Sequence, residues 1–527
     1  MRGRAGARGG ARARAGARGA AAGARGAAAG AAGAAGAGGV GLQQPGGARG
    51  QVSSVYKFGG SSVRDAERMR EVAAIACGFP EEAPCVVLSA MGKTTNNLLA
   101  AGRAAAERAG EAIRDPHELP AVAAVLELHR ATMDELGTDA EARQEVEDLL
   151  DQFQQVVCSV AILGDLSPRV QDTLVSFGER MSTRIFAAFL RSQGVRARQH
   201  DAWKLGMVTS DEFSNGEVQY DETLPSIREG LTLEAGAPLE IPVVTGFLGR
   251  GGKTGAITTL GRGGSDLTAT VIGAALGVPE VQVWKDVDGV LSADPRIVPE
   301  AGPVGHLTYD EATELAFFGA TVLHPQSMRP AMLVDGLDIR VKNSYNREAP
   351  GTLISRERHG EDSLLTSIVL KRDVTVLDIQ STRMLGQYGF MAKLFDAFEA
   401  ERISVDLVAT SEVSVSVTLD PGVFWDRDLA DDELESLRHA VRKVARVEVN
   451  REKAIISLVG NVRHSSSILE KAFRALKEVG ANVEMISQGA SKNNISLVVP
   501  MAVAVECVQA LHNEFFGDSS ANMAPPA

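Results

Sequence analysis

Two glycine-rich turns contain the residues of this chain that are best suited to chemistry. They are the runs Lys57–Ser62 and Gly261–Asp266, and each follows a β-like stretch and opens a helix-like one. At such a junction, free backbone N–H groups and the positive end of the helix dipole favour an anion, which glycine allows close to the backbone. The lysine in one turn and the arginine and aspartate in the other predict phosphate chemistry on a charged small molecule.

Neither turn matches a common nucleotide-binding motif. The G-x-x-x-x-G-K-[ST] phosphate loop and the G-x-G-x-x-G dinucleotide fingerprint are both absent from them. A single Gly-Gly pair also marks ordinary tight turns, so the inference depends on the occurrence of two such sites in one chain. The pair indicates a different nucleotide-binding fold.

The elements around these turns alternate between β-rich and helical patterns from about residue 52 to residue 354. Alternation of this kind predicts an α/β domain with a mainly parallel sheet. We expect buried strands at Val52–Phe58 and Cys85–Leu88, and a helix at Leu267–Leu276 directly after the second turn. The long amphipathic stretch Leu119–Gln155 predicts an inserted helical pair.

The pattern changes after a polar linker, Arg356–Glu361, to two similar units. Each reads strand, helix, strand, strand, with room for a final helix and strand, which is the ferredoxin-like βαββαβ arrangement. Paired modules of this kind often bind a small effector between them. We therefore divide the chain into a disordered tail over 1–50, a catalytic domain over 51–356, repeats over 370–450 and 451–516, and a disordered end over 517–527.

Composition and charge exclude several classes of partner. The net charge is −13, and because residues 1–50 contain eight arginines and no acid, the rest of the chain carries −21. An acidic body argues against nucleic acid or an anionic membrane as a partner. The four cysteines show neither metal-ligand spacing nor a disulfide framework, which fits a reducing compartment.

The first 50 residues are almost entirely alanine, glycine and arginine, and cannot build a core. An arginine-rich, acid-free N-terminus is similar to an organelle transit peptide, although it lacks the usual serines. Two alternatives stay open: untranslated GC-rich sequence included in the gene, and an Arg-Gly-rich RNA-binding tail. Without a transit peptide the protein would be cytoplasmic.

A series of short motifs runs in order along the chain: Lys57–Val63, Ser89–Asn96, Ser176–Ser182, Gly261–Asp266, Asp286–Gly289, Asp294–Arg296, Leu323–Pro325 and, in the regulatory half, Ser404–Val413. With these motifs the chain resembles the aspartate kinases from about residue 52 to residue 515, and its sequence is most similar to the single-function plastid enzymes of plants and algae. The resemblance implies an amino-acid-kinase three-layer αβα sandwich followed by two ACT repeats.

The implied reaction transfers a phosphoryl group from ATP to the side-chain carboxylate of aspartate. A carboxylate is already an anionic nucleophile, so the reaction needs alignment and charge neutralisation rather than a general base. Mg²⁺ is expected to arrive with the nucleotide, without a protein ligand cluster and without any tightly bound cofactor.

The resemblance assigns three sets of catalytic-domain residues. The catalytic set is Lys57, which would meet the transferring phosphoryl group, and Asp266, which would orient Lys57 or cap its own helix. The aspartate-binding set is Ser89, Thr95, Glu179, Arg262, Gly263 and Gly264, with Glu179 on the α-ammonium and Arg262 on the α-carboxylate. The nucleotide-binding set is Lys57, Gly59, Gly60, Ser61, Lys285, Asp286 and Arg296.

A fourth set would bind lysine as a feedback inhibitor in the first repeat. It comprises Met384, Gly389, Phe390, Asp406, Ser411 and Glu412. Asp406 would meet the effector's ammonium group, or would be a solubility charge on an edge strand. The resemblance further implies a homodimer or larger homo-oligomer, and S-adenosylmethionine as a further effector.

Three positions depart from the family pattern. Lys285, Leu291 and Thr321 stand where many relatives have threonine, tyrosine and lysine, while His324 is expected to be structural. Two alternatives to aspartate kinase therefore stay open: a kinase for another amino-acid carboxylate such as glutamate, and a catalytically inactive sensor that binds lysine.

Overall fold

A computed structural model describes residues 42, 44, 51–79, 81–110, 113–232, 238–319, 323–358, 363–380, 388–401, 403–420, 431–442, 445–489 and 491–517. Leu42 packs against the first hydrophobic cluster, and the Gln44 side chain bonds to the Leu239 carbonyl and the Arg196 N–H. The catalytic domain thus includes at least these two residues, and its predicted start at residue 51 is too late.

The catalytic domain is built on an eight-stranded sheet in the order β3-β5-β2-β1-β8-β10-β11-β9, beside a small sheet in the order β4-β6-β7. Six neighbouring strands in this order, namely β3, β5, β2, β1, β8 and β10, are mutually parallel, and β11 is antiparallel to β10. The strands are β1 (Ser54–Phe58), β2 (Pro84–Leu88), β3 (Ala197–His200), β4 (Val208–Thr209), β5 (Ile241–Thr245), β6 (Leu248–Gly251), β7 (Ile257–Thr259), β8 (Glu280–Lys285), β9 (His306–Thr308), β10 (Asp338–Asn343) and β11 (Thr352–Ser355).

Helices cover both faces of this sheet, so its central strands are buried on both sides. On β1, Tyr56 and Phe58 join one hydrophobic cluster and Val55 joins the other. The helices are α1 (Ala66–Ala76), α2 (Thr94–Glu107), α3 (Pro120–Leu136), α4 (Ala140–Leu163), α5 (Pro168–Ser192), α6 (Tyr220–Leu231), α7 (Gly264–Leu276), α8 (Tyr309–Phe317) and α9 (Arg329–Leu333). The predicted αβα sandwich is confirmed, and α3 and α4 are the expected helical pair.

The regulatory half forms one six-stranded antiparallel sheet in the order β13-β14-β12-β15-β17-β16. Its strands are β12 (Leu365–Gln380), β13 (Ser404–Thr410), β14 (Ser414–Asp420), β15 (Arg446–Gly460), β16 (Met485–Ser487) and β17 (Asn494–Pro500). Its helices are α10 (Phe390–Ala400), α11 (Asp431–Arg442), α12 (Ser465–Val479) and α13 (Ala504–Phe516). The hydrophobic clusters place these helices on one face of the sheet, and the other face contributes to a cluster of the catalytic domain.

The strand β12 serves both repeats, which the linear pattern did not predict. Its first half pairs with the second half of β15, and after a register shift between Lys371 and Val374 its second half pairs with the first half of β15. The second repeat therefore includes the strand segment Leu365–Lys371, which precedes the first repeat in the chain. The predicted domain boundary at residue 370 falls inside this strand. The order of the residues alone does not show which strands pair with each other in the sheet.

Within the described residues, the search for helices long and apolar enough to cross a membrane found none.

Candidate active site

Three neighbouring strands bring predicted site residues to one edge of the sheet. Lys57 in β1 lies opposite Val87 of β2 and Val283 of β8. Because the three strands are parallel, the loops that follow them meet at the same edge, where open α/β sheets bind ligands. The turn after β1, the loop after β2 and Lys285 at the end of β8 thus come together.

The turn after β1 needs glycine for close packing. A Cβ at Gly60 would lie 2.8 Å from the Ala90 carbonyl oxygen, and one at Gly59 would lie 3.6 Å from Nζ of Lys57. The Gly92 N–H also donates to the Gly60 carbonyl at 3.0 Å. Gly60 therefore allows direct backbone contact between the β1 turn and the β2 loop, and Gly59 lies beside the Lys57 ammonium group.

The second glycine turn begins α7 in a conformation that favours glycine. Gly263 is the residue before the helix and has φ of 69°, and a Cβ there would lie 2.2 Å from Cβ of His324. Asp266 lies in the first turn of α7, and no side chain caps the helix. The alternative that Asp266 acts as the helix cap is therefore wrong.

Asp266 instead forms a buried ion pair with Lys57. Its Oδ1 lies 2.6 Å from Nζ of Lys57, and the two side chains are 7% and 9% exposed. Burial alone would raise the pKa of Asp266, but the Lys57 and Lys285 ammonium groups lower it below the ordinary value. Burial lowers the pKa of Lys285, and the charge of Lys57 lowers it further. Two ammonium groups thus act on one buried carboxylate.

Glu179 is the second buried carboxylate of this edge. It is 3% exposed, and its Oε1 accepts a hydrogen bond from the Ala90 N–H at 3.1 Å. Its Oε2 is buried with no hydrogen-bond partner among the described residues. Burial raises the pKa of Glu179 to about 8. The orphaned oxygen is a ready acceptor for an ammonium group.

A close helix approach places Glu179 beside the β2 loop. The preceding residue, Gly178, has room for no side chain, since a Cβ there would lie 2.6 Å from Cβ of Ala90. In the same loop, Ser89 Oγ donates to Ser265 Oγ at 3.0 Å, and its carbonyl accepts from Ser182. The loop segment Ser89–Ala90 thus bonds to Ser265 through the Ser89 hydroxyl and to Glu179 through the Ala90 N–H, and these bonds fix the positions of Ser89 and Glu179.

The remaining predicted substrate residues lie in the first turn of α2 and in the second glycine turn. Thr95 is half-buried in the first turn of α2, and Gly264 packs against Phe247. Arg262 is exposed and directly precedes Gly263. Its charge acts on His324, which packs against the same turn. Arg262 is thus the most solvent-accessible member of the predicted aspartate-binding set.

The predicted nucleotide residues divide into two groups. Ser61 is exposed beside the glycine pair, and Asp286 is exposed directly after Lys285. Arg296 is 89% exposed and its guanidinium pairs with Asp294 at 2.7 Å. The next residue, Ile297, packs into a cluster of the regulatory half. The structure places Ser61 and Asp286 at the same edge of the sheet as Lys57, whereas the guanidinium of Arg296 contacts Asp294.

His324 has a structural position. Its Nδ1 accepts a weak hydrogen bond from the Gln326 N–H at 3.4 Å at the start of a short 3₁₀ helix, and its Cβ fills the space above Gly263. Burial lowers its pKa despite the opposing effect of Asp266. Thr321, which departs from the family pattern, lies outside the described residues.

The predicted effector residues lie on both faces of the regulatory sheet. Gly389, with φ of 77°, precedes α10, and Phe390 packs in the helix-side cluster. Asp406 has a fully buried side chain that pairs with Lys371 at 2.6 Å, next to the catalytic domain. The alternative of an exposed solubility charge at Asp406 is therefore wrong.

The other members of that set are more peripheral. Ser411 accepts the N–H of Ser414 in the exposed turn between β13 and β14 and contacts its hydroxyl, and Glu412 is exposed in the same turn. Met384 lies outside the described residues. The described members of the effector set thus lie in three places. These are the start of α10, the sheet face next to the catalytic domain, and the turn between β13 and β14.

Sequence reasoning missed two residues that contact the predicted set. Ser265 bonds to Ser89 and stands inside the Gly261–Asp266 motif, so the motif itself contained the signal. Lys371 pairs with Asp406 from a different strand, and no local pattern indicated it. Within the described part of the chain, no group of three or more His, Cys, Asp or Glu side chains could hold a metal ion.

Comparisons with known proteins identify the family of this chain. The amino acid kinase family model matches residues 54–343, and an ACT domain model matches residues 456–515. The chain is 54% identical to aspartokinase 1, chloroplastic, of Arabidopsis thaliana, over 90% of this chain and 82% of that protein.

Solved structures extend the agreement to the fold. The crystal structure of Escherichia coli aspartokinase III in complex with aspartate and ADP (R-state) matches with a TM-score of 0.74 at 34% identity, covering 88% of this chain and 99% of that one. The complex of the same enzyme with lysine and aspartate (T-state) matches with a TM-score of 0.70 at 33% identity, covering the same shares. This chain belongs to the amino acid kinase family and, within it, to the aspartokinases.

Proposed function

We propose that this protein transfers the γ-phosphoryl group of ATP to the side-chain carboxylate of L-aspartate, giving ADP and 4-phospho-L-aspartate. In this family that product leads to lysine, threonine, methionine and isoleucine. The observation that carries the proposal is the buried Lys57–Asp266 pair, which lies where the two glycine turns meet and has Lys285 beside it.

The γ-phosphoryl group of ATP would bind next to the ammonium groups of Lys57 and Lys285. Phosphoryl transfer requires neutralisation of charge on the equatorial oxygens, and ammonium groups in a buried site supply it. Asp266 holds Lys57 in place, while Lys285 adds a second positive charge. Backbone N–H groups at Gly59, Gly60 and Ser61 would bind the phosphates, which carry their own Mg²⁺ because the substrate is the magnesium complex.

The outer part of the nucleotide would lie beyond the end of β8. Asp286 directly follows Lys285 there and is exposed, as a contact to the ribose or base requires. A phosphate contact from Arg296 would require its guanidinium to leave Asp294, with which it now pairs. Arg296 is thus the member of the proposed nucleotide set that needs the largest rearrangement.

Aspartate would bind on the other side of Lys57. Its α-ammonium would meet the orphaned Oε2 of Glu179, and its α-carboxylate would meet the fork of Arg262. The hydroxyls of Ser89 and Thr95 and the N–H groups at Gly263–Gly264 would orient the remainder. The side-chain carboxylate then attacks phosphorus, forming a C–O–P link while the bond to the ADP oxygen breaks.

The regulatory half supports a proposal of feedback inhibition by lysine. Gly389, Phe390, Asp406, Ser411 and Glu412 are the described members of the proposed effector set. Assembly through the ACT repeats into a homodimer or larger oligomer, S-adenosylmethionine as a further effector, and import into plastids directed by the N-terminal tail belong to the same proposal.

The test is ATP-dependent formation of aspartyl hydroxamate by the purified protein, with L-glutamate as competing substrate. Lys57→Ala should reduce turnover about a thousandfold, since a preorganised charge at the transferring group is removed. The matched control is Lys253→Ala, an exposed lysine outside the site, which should keep wild-type activity. Faster turnover with glutamate, or full activity in Lys57→Ala, would contradict the proposal.

A further inference from the structure

Asp172 is a buried carboxylate to which the proposed chemistry gives no role. It is 2% exposed and lies in α5, seven residues before Glu179. Seven residues are close to two helical turns, so the two carboxylates share one face of the helix and stand about 10 Å apart along its axis. Glu179 is the proposed partner of the substrate's α-ammonium group, and Asp172 is therefore mounted on the same rigid element as a substrate-binding residue.

Asp172 accepts hydrogen bonds from two separate parts of the chain. One is Thr259 at the end of β7, whose N–H donates to Oδ2 at 3.0 Å and whose hydroxyl donates to Oδ1 at 2.9 Å. The other is Ser214, whose N–H donates to Oδ2 at 2.9 Å and whose hydroxyl donates to Oδ1 at 3.4 Å. These donors compensate for the burial of the carboxylate. Asp172 thus fastens the end of β7 and the loop at Ser214 to α5.

The loop at Ser214 extends this attachment to the second glycine turn. Ser214 has φ of 70°, a left-handed conformation that a serine keeps only where its surroundings hold it. The next side chain, Asn215, fills the space beside Gly261, because a Cβ there would lie 2.8 Å from Asn215 Oδ1. The Gly216 N–H donates to the Thr259 carbonyl at 2.7 Å. The loop and the end of β7 therefore form one support next to the turn.

Arg262 stands in the turn that this support holds. The Gly264 N–H donates to the Gly261 carbonyl at 3.1 Å, which closes a four-residue turn with Arg262 at its second position. Arg262 also follows three residues after Thr259, which bonds directly to Asp172. The Arg262 side chain is exposed, so the protein interior positions this residue through its backbone.

We propose that Asp172 is a positioning residue for recognition of the substrate's α-carboxylate. It holds the turn that bears Arg262 at a set separation from Glu179, and α5 defines that separation because both carboxylates project from it. The α-ammonium and the α-carboxylate of an amino acid leave the same carbon atom, so the protein groups that bind them must keep a fixed spacing. The inference rests on the proposed function, since it deepens the assignment of Glu179 and Arg262 to these two groups.

The experiment measures kcat and the KM values for L-aspartate and ATP by hydroxamate formation with the full chain. Asp172→Asn replaces an acceptor oxygen with an amide donor that faces the donors of Thr259 and Ser214. The KM for L-aspartate should rise about tenfold, while kcat and the KM for ATP stay within about twofold of wild type, because only ground-state binding of the amino acid is weakened.

Asp211→Asn is the matched control. Asp211 holds the opposite end of the β6–β7 hairpin and also accepts from a threonine, because the Thr254 N–H at 2.9 Å and the Thr254 hydroxyl both donate to it. This variant should keep the wild-type KM for L-aspartate. If Asp172→Asn does not fold, Thr259→Val takes its place, since it removes one donor to Asp172 and keeps the shape of the side chain. It should raise the same KM about threefold.

A double-mutant cycle with Arg262→Ala separates positioning from general destabilisation. Because the positioned group is then absent, Asp172→Asn should cause no further loss of kcat/KM for L-aspartate in that background. An unchanged KM for L-aspartate in Asp172→Asn, equal losses in kcat and in the KM for ATP, or full additivity with Arg262→Ala would overturn the proposal. A wild type that forms no hydroxamate refutes the kinase itself, whereas an active wild type with any of those three results refutes the role of Asp172 alone.

Discussion

The catalytic edge and the regulatory sheet each contain a lysine–aspartate pair at the same distance. Lys57 and Asp266 are 2.6 Å apart at the sheet edge, and Lys371 and Asp406 are 2.6 Å apart beside α8. What differs is the surroundings, because a second lysine, Lys285, acts on Asp266, whereas Asp406 shares the wall of a cavity of about 340 Å³ with a second carboxylate, Glu314. The same pair is thus suited to an anion in one region and to a cation in the other.

The difference shows that neighbours determine what a buried ion pair can bind. A pair on its own is nearly neutral, and its net contribution to stability is small after desolvation of both charges. A third charge or an unsatisfied acceptor nearby decides whether the site attracts an anion or a cation. Substitutions of matched residues in the two regions therefore test the comparison directly.

The largest effect is expected when the two aspartates are neutralised in turn. Asp266→Asn should lower aspartate-dependent turnover by about a hundredfold or more, since Lys57 loses the partner that positions it. Asp406→Asn should leave turnover without effector close to wild type and relieve inhibition by lysine. Hydroxamate formation with and without lysine measures both. Equal losses of basal turnover in the two variants would mean that the pairs do not have separate roles.

The next effect concerns pH and the carboxylate beside the catalytic pair. With a pKa of about 8, Glu179 is largely protonated at pH 7 and must ionise to bind the substrate ammonium group. The KM for aspartate should therefore fall about tenfold per unit as the pH rises from 6 towards 8, and level off above. Glu179→Gln should raise KM and remove this pH dependence. A parallel slope in that variant would assign the titration to another group.

The smallest effect concerns the backbone that supports the catalytic pair. Gly263→Ala should destabilise the fold by about 3 kcal/mol, because it combines left-handed strain with a clash against His324. Gly277→Ala is the matched control at the other end of α7, where φ is also positive and the space is open, so about 1 kcal/mol is expected. Denaturant unfolding monitored by circular dichroism compares them. Equal costs would mean that packing against His324 contributes nothing.

The sequence predicted the local parts of this molecule well. Strands, helices and the two glycine turns follow from residue patterns that depend on near neighbours, and they are found close to their expected bounds. The roles of Glu179 and Asp266 came from a resemblance to relatives. The pairing of Leu365–Lys371 with the second repeat could not be predicted, because several antiparallel partners satisfy the same alternating pattern.

The sequence alone thus determined where backbone N–H groups are free, which strands are buried and which charged residues stand beside glycine turns. Only the tertiary structure decided that Lys57 pairs with Asp266 and Lys371 with Asp406, and which face of the regulatory sheet Asp406 occupies. The physical reason is the separation along the chain of the residues that interact. Glycine turns and strand ends follow from local backbone chemistry, whereas a buried charge takes the opposite charge that packing brings within reach, however far away it lies in the chain.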